Sequence, residues 1–160
     1  CMANPIGGAK MRELLGLYHD AWKSAGHPGR GKVALAFMMY CAPTTEQAIE
    51  EAGPDVKAYF QTLADAASDW SSGASSKDYP GYEKMVEILS KEDVHTQREK
   101  SAAFVGSPEE CRDMISDFNT QTVGFDIASL QVNTKMMSVD KARASMELFG
   151  REVLPQFADG

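Results

Sequence analysis

Apolar positions at Met11, Leu14, Leu15, Tyr18, Ala21, Trp22 and Ala25 fall at the i, i+3, i+4, i+7 spacing of one helix face, and Gly26 then supplies a C′ stop. A turn follows at His27-Pro28-Gly29-Arg30-Gly31. The run Val33 to Ala42 is apolar without alternation, as a parallel strand covered by helices on both faces is. Thr44 with Gln47 three residues on predicts a capped helix start. Gly53-Pro54 predicts a break and restart, after which Val56, Tyr59, Phe60, Leu63, Ala67 and Trp70 form a second helical stripe. The stretch from Ser71 to Gly81, rich in Ser, Gly and Pro, predicts a mobile loop within one domain. Tyr82, Met85, Val86 and Leu89 predict a short helix. Ser90 to Lys100 offers only Val94 as an apolar anchor, so no regular element is assigned there and the stretch reads as disordered.

Ser107-Pro108-Glu109-Glu110 is the best-specified helix start. Ser107 is the N-cap, Pro108 takes the first helical position, where its missing N–H costs nothing, and Glu110 is expected to close a capping box. Cys111, Met114, Ile115 and Phe118 form the buried face of that helix. Phe125 to Val132 predicts the second strand. Ser138 caps a last helix with Ala142, Met146, Phe149 and Val153 buried, ending before Pro155. Strand, helix, strand, helix in this order implies parallel strands with helices outside, hence an α/β class.

The 160 residues, 43% of them hydrophobic, suffice for one domain with its own core. A formal net charge of −7, with no cluster of Lys or Arg, argues against a nucleic-acid surface. No apolar run approaches the roughly 20 residues a membrane span requires, and no secretory leader is visible, so a cytoplasmic location is expected. Cys1, Cys41 and Cys111 have the spacing of neither a disulfide framework nor a zinc site, which fits a reducing compartment. Cys1 precedes Met2: either position 1 is a remnant of preparation or the natural chain begins upstream.

Four groups of residues carry a resemblance to a known family: Tyr18 to Pro28, Thr44-Thr45-Glu46-Gln47-Ala48, Phe104-Val105-Gly106-Ser107-Pro108-Glu109-Glu110, and Ser145 to Pro155 with Phe157. In their order and spacing the chain resembles the C-terminal portion of the bacterial-luciferase-like, flavin-dependent monooxygenases. The resemblance implies a helix-rich α/β fold, a partial (β/α)8 TIM barrel contributing its C-terminal βα units. It also implies reduced FMN as cosubstrate from a separate flavin reductase, O2 activation as a flavin hydroperoxide, and oxygenation of a small organic substrate. A whole barrel takes roughly 250 residues and only two strands are legible, so this chain alone does not close one. A homo-oligomer or a complementary N-terminal barrel fragment is the expected partner. The alternative is a non-catalytic structural or dimerisation module derived from that family.

Barrel chemistry sits on loops after the strands, here Ala42-Pro43-Thr44 and, preferred, Asn133 to Met137. Asn133, Lys135, Met136 and Met137 are the candidate substrate-binding residues, although the two methionines read more simply as packing under the last helix. No catalytic, cofactor-binding or metal-binding residue is assigned. His19, His27 and His95 lack partners at catalytic or metal spacing and read as surface or capping groups. Cys41 and Cys111 read as small buried apolar residues. Gly7-Gly8, just ahead of the first helix, is the one place where an anion could meet bare backbone, against a plain helix lead-in.

Overall fold

The computed structural model describes residues 2–3, 7–71 and 82–158. The elements run β1 (Met2–Ala3), α1 (Gly8–Ser24), β2 (Ala34–Cys41), α2 (Thr45–Ser71), α3 (Tyr82–Ser90), α4 (Val94–Glu99), β3 (Ala103–Gly106), α5 (Pro108–Thr122), β4 (Ile127–Gln131) and α6 (Val139–Glu152), with a final 3-10 turn at Leu154–Phe157.

All strand pairings are parallel and all involve β2. Ala34 and Leu35 pair with β1 and also with β4, and Met38 pairs with Ala103 of β3 and with Gln131 of β4. A strand has only two edges, so β1 and β3 share one edge of β2 and β4 takes the other. The sheet is therefore open, with the order β3-β2-β4. The strand alternation of period two splits the core. Leu35, Phe37, Met39 and Cys41 face Met11 and Leu15 of α1, Cys111 and Phe118 of α5, and Phe149 of α6. Met38, Tyr40 and Ala42 face Ala48, Ala52 and Val56 of α2 and Val94 of α4. Phe37 anchors the first layer, stacked on Phe104 at 4.3 Å and edge-on to Phe118 at 5.0 Å. The β2 run lacks polar alternation because helices cover both its faces.

Several sequence expectations need correction. Gly53-Pro54 does not interrupt the chain: α2 runs unbroken with Pro54 inside it. Pro54 and Glu50, the residue whose carbonyl loses its donor, are both exposed, so water can take the missing bond, while Ala52 and Val56 hold the inner face to the sheet. The segment Ser90 to Lys100 is not structureless. Asp93 Oδ1 accepts from Thr96 N and Thr96 Oγ1 accepts from Asp93 N, both at 2.9 Å, a reciprocal cap that starts α4 despite its single large apolar anchor. The strand inventory is larger than two, because β3 is a four-residue buried strand too short to announce itself by periodicity. Glu110 does not close the box at α5; Ser107 Oγ accepts from its N–H at 3.3 Å, while its carboxylate pairs with Arg98. Met146 is half exposed, and Ser145 takes the inward position instead. The predicted loop at 71–81 falls outside the described residues, apart from Ser71, which ends α2.

Other features agree. Gly26 has φ of +77°, and the N–H groups of Gly26 and His27 bond to the carbonyls of Lys23 and Trp22, closing α1 as a left-handed glycine cap does. Thr44 Oγ1 accepts from Gln47 N at 3.2 Å. Ser138 Oγ accepts from Lys141 N at 3.3 Å to start α6. Among the described residues no helix is long and apolar enough to cross a membrane.

Candidate functional site

Parallel α/β sheets present ligands beyond the carboxyl ends of their strands. Here the ends of β2 and β3 run directly into the capped starts of α2 and α5, and Ser107 N donates to Thr45 Oγ1 at 3.1 Å, tying the two starts together. On the β2 side a cavity of about 480 Å³ opens between the strand end, α2 and α6. Its polar lining includes Tyr40, Gln47, Glu51, Lys141, Ser145 and Arg151, with the carboxylates of Asp140 and Glu147 beside them.

Tyr40 is buried and donates its hydroxyl to Glu51 Oε2 at 2.5 Å, and Lys141 Nζ stands 3.3 Å from Glu51 Oε1. Burial, reinforced by the neighbouring carboxylate, pushes the Tyr40 hydroxyl above its ordinary range. The bond from Tyr40, helped by Lys141 and Gln47, holds Glu51 below the ordinary carboxylate range. The triad is thus a neutral phenol, a carboxylate and an ammonium in fixed contact. Ser145 Oγ accepts from Cys41 N at 2.8 Å and so pins α6 to the strand end. Sequence reasoning missed Tyr40, Glu51 and Lys141, because they lie on three elements and share no spacing.

A second cavity, of about 600 Å³, lies on the α2 side of the sheet. Tyr59, Phe60, Leu63, Met85 and Ile88 form its apolar wall, and Lys10, Lys84 and Lys100 carry charge at it. Within it Glu92 accepts from Lys100, Thr96 and Gln97. Burial works against the Glu92 charge, but these three bonds together hold its carboxyl below the ordinary range.

The predicted substrate loop is placed elsewhere. Asn133 Nδ2 donates to the Met137 carbonyl at 3.1 Å and folds the loop on itself. Lys135 Nζ donates to Thr62 Oγ1 at 3.2 Å and Met136 N to Asp55 Oδ2 at 3.1 Å, so the loop is tied to α2. Met136 is 82% exposed, whereas Met137 packs against the α2-side core rather than under α6. None of the four lines either cavity.

The remaining candidates, the histidines and Gly7-Gly8, line neither cavity. His19 Nδ1 donates to the Arg30 carbonyl at 2.6 Å, and His27 lies against Trp22 with ring centres 4.6 Å apart. His95 is exposed beside the Arg98–Glu110 pair. Gly8 is not open backbone, because the place a Cβ would occupy is filled by the side chain of Gln121. The Gly7-Gly8 turn is thus closed on the Gly8 side and is not assigned as a seat for the phosphate of FMN. Among the described residues no three His, Cys, Asp or Glu side chains converge as a metal set.

No family profile matches the sequence, and no curated protein sequence matches it. Solved structures do match the fold. The monooxygenase RslO1 from Streptomyces bottropensis superposes with a TM-score of 0.65 at 21% identity, over 98% of this chain and 41% of that one. A type II Baeyer–Villiger monooxygenase, the oxygenating constituent of 3,6-diketocamphane monooxygenase from the CAM plasmid of Pseudomonas putida, solved with FMN, gives 0.68 at 20% identity, over 96% and 42%. Riboflavin lyase RcaE, solved with modified FMN and riboflavin, gives 0.60 at 19% identity, over 99% and 38%. The chain spans about two-fifths of the length of each of these proteins. Nearly all of this chain thus has the fold of one part of each of these three proteins.

Proposed function

We propose that the chain is the C-terminal part of a luciferase-like, flavin-dependent monooxygenase. In this reading reduced FMN from a separate flavin reductase and O2 are used to oxygenate a small organic substrate, and the chain contributes βα units to a (β/α)8 barrel completed by an N-terminal part. The observation that carries the reading is that nearly the whole chain superposes on two-fifths of such enzymes, one of them holding FMN. Asn133, Lys135, Met136 and Met137 are proposed to border the substrate mouth, with the exposed Met136 as its apolar contact.

One observation favours a second reading, a non-catalytic structural or dimerisation module. β2 is covered on both faces by the chain's own helices, and β4 lies beside β2 rather than in the consecutive order of a barrel. Such a unit can hold a fold without a partner.

Native mass spectrometry of the protein from its natural source, combined with a flavin assay, separates the two. The monooxygenase reading expects a heavier polypeptide, or a complex with a second and larger one, that retains FMN. A 17.4 kDa chain alone or in identical copies, with no flavin retained, overturns that reading and leaves the module.

A further inference from the structure

Cys41 ends β2 and Cys111 lies in the first turns of α5, far apart in sequence but joined by the strand register. Cys41 is paired with Gly106 across the β2–β3 ladder. The Cys111 thiol lies 3.7 Å from the Gly106 carbonyl oxygen and 3.6 Å from that of Phe104. Both thiols are free, buried and in the same core layer.

The two are not equivalent. Cys41 lines the cavity at the end of β2, which Lys141 and Arg151 also line, whereas Cys111 is sealed in the core. The neighbouring Cys111 lowers the Cys41 thiol, with Arg112 acting in the same direction. The same contact, followed by burial, pushes the Cys111 thiol far up. One thiol borders the cavity and is drawn towards the thiolate; the other is sealed in the core and held neutral beside it.

We propose that Cys41 and Cys111 form a peroxide-responsive thiol pair, in which Cys41 is oxidised first from the cavity and Cys111 resolves it as an intramolecular disulfide. Cys41, as thiolate, attacks one oxygen of hydrogen peroxide. The O–O bond breaks, Cys41 becomes a sulfenic acid, and the departing hydroxide takes the proton the thiol gave up, leaving as water. The Cys111 sulfur then attacks the Cys41 sulfur. The S–O bond breaks as the S–S bond forms, and the leaving hydroxide takes the Cys111 proton as a second water. Two thiols are oxidised by two electrons and one peroxide is reduced to two waters. The product ties the end of β2 to the start of α5, beside the Tyr40–Glu51–Lys141 cluster. The inference does not depend on the monooxygenase reading.

The test uses the full chain carrying Cys1→Ser, so that no third thiol competes. The protein is treated with hydrogen peroxide without denaturant, quenched by alkylation and mapped by peptide mass spectrometry before and after reduction with dithiothreitol. A cross-linked pair of peptides containing Cys41 and Cys111 is expected, lost on reduction and absent when either is changed to Ser. Cys41→Ser should leave Cys111 unoxidised, whereas Cys111→Ser should leave Cys41 as sulfenic acid, trapped by dimedone. Closing so long a loop should raise the thermal midpoint of the oxidised chain by about 10 °C. Two thiols that stay reduced, or a Cys41 that passes to sulfinic acid without the cross-link, would overturn the proposal. Because the cross-link is read on a chain with both cysteines intact, a Ser variant that fails to fold does not remove the test.

Discussion

At the scale of single residues, the pair Tyr40–Glu51 links the second core layer to the cavity at the end of β2. The phenol is buried against α2, and its one outward atom finds a carboxylate 2.5 Å away. Replacing Tyr40 with Phe keeps the ring packing but removes a bond to a charged acceptor, worth about 1.5 kcal/mol, which a lowered urea midpoint at unchanged slope would report. The pH dependence follows from the Glu51 shift. Its carboxyl is held below the ordinary 4.5 in the folded chain, so the folded form takes up its proton at lower pH than the unfolded form. The stabilisation is complete above that ordinary value and is lost as pH falls through the depressed folded value. Tyr40→Phe should therefore shrink the acid-side loss of stability and leave the neutral-side profile parallel to the original. An unchanged acid limb would mean that Lys141 alone sets the Glu51 shift.

Among the elements, α2 shows how packing overrides a local breaker. Pro54 interrupts the hydrogen-bond ladder on the solvent side, while Ala52 and Val56 keep the inner face in contact with β2 and β3. Pro54→Ala should therefore stabilise the chain by about 2 kcal/mol, by restoring the donor and removing the ring clash. Chemical denaturation would show it; a variant no more stable than the parent would mean that α2 bends at Pro54 to meet the sheet. Elements with a long apolar stripe or a strong cap were legible in the sequence: α1, β2, α5 and α6 fall where periodicity and Gly26, Ser107 and Ser138 put them. α4 was not, because its start rests on the reciprocal Asp93–Thr96 cap and not on an apolar face. Nor was β3, since Ala103–Gly106 is too short for a period of two to register. The candidate site was the least legible part. Tyr40, Glu51 and Lys141 meet only through the placing of α2 and α6 against β2, contacts that no local spacing encodes.

For the whole molecule, the decisive feature is β4. It pairs with β2 on one side; among the described residues its other edge has no partner, and Ile127 is 51% exposed. An outermost parallel strand with apolar side chains in water is a template for another strand. In a closed barrel the last strand meets the first, so the same edge is where an N-terminal part would add; in a structural module a second copy would take its place. The barrel reading and a self-associating module share one demand: assembly should run through β4. Ile127→Lys places a charge on that strand at a position already half in water, so the isolated fold should lose about 1 kcal/mol or less. The assembled species, by contrast, must bury the ammonium and should weaken markedly. Sedimentation velocity over a range of concentrations, beside a thermal melt of the same variant, separates the two effects. A small change in melting with a clear fall in the assembled fraction supports closure through β4. An assembly that survives the lysine unchanged would put the contact elsewhere, and the next place to look is the exposed apolar stripe of Val139 and Met146 on α6, which leaves the strand edge bare.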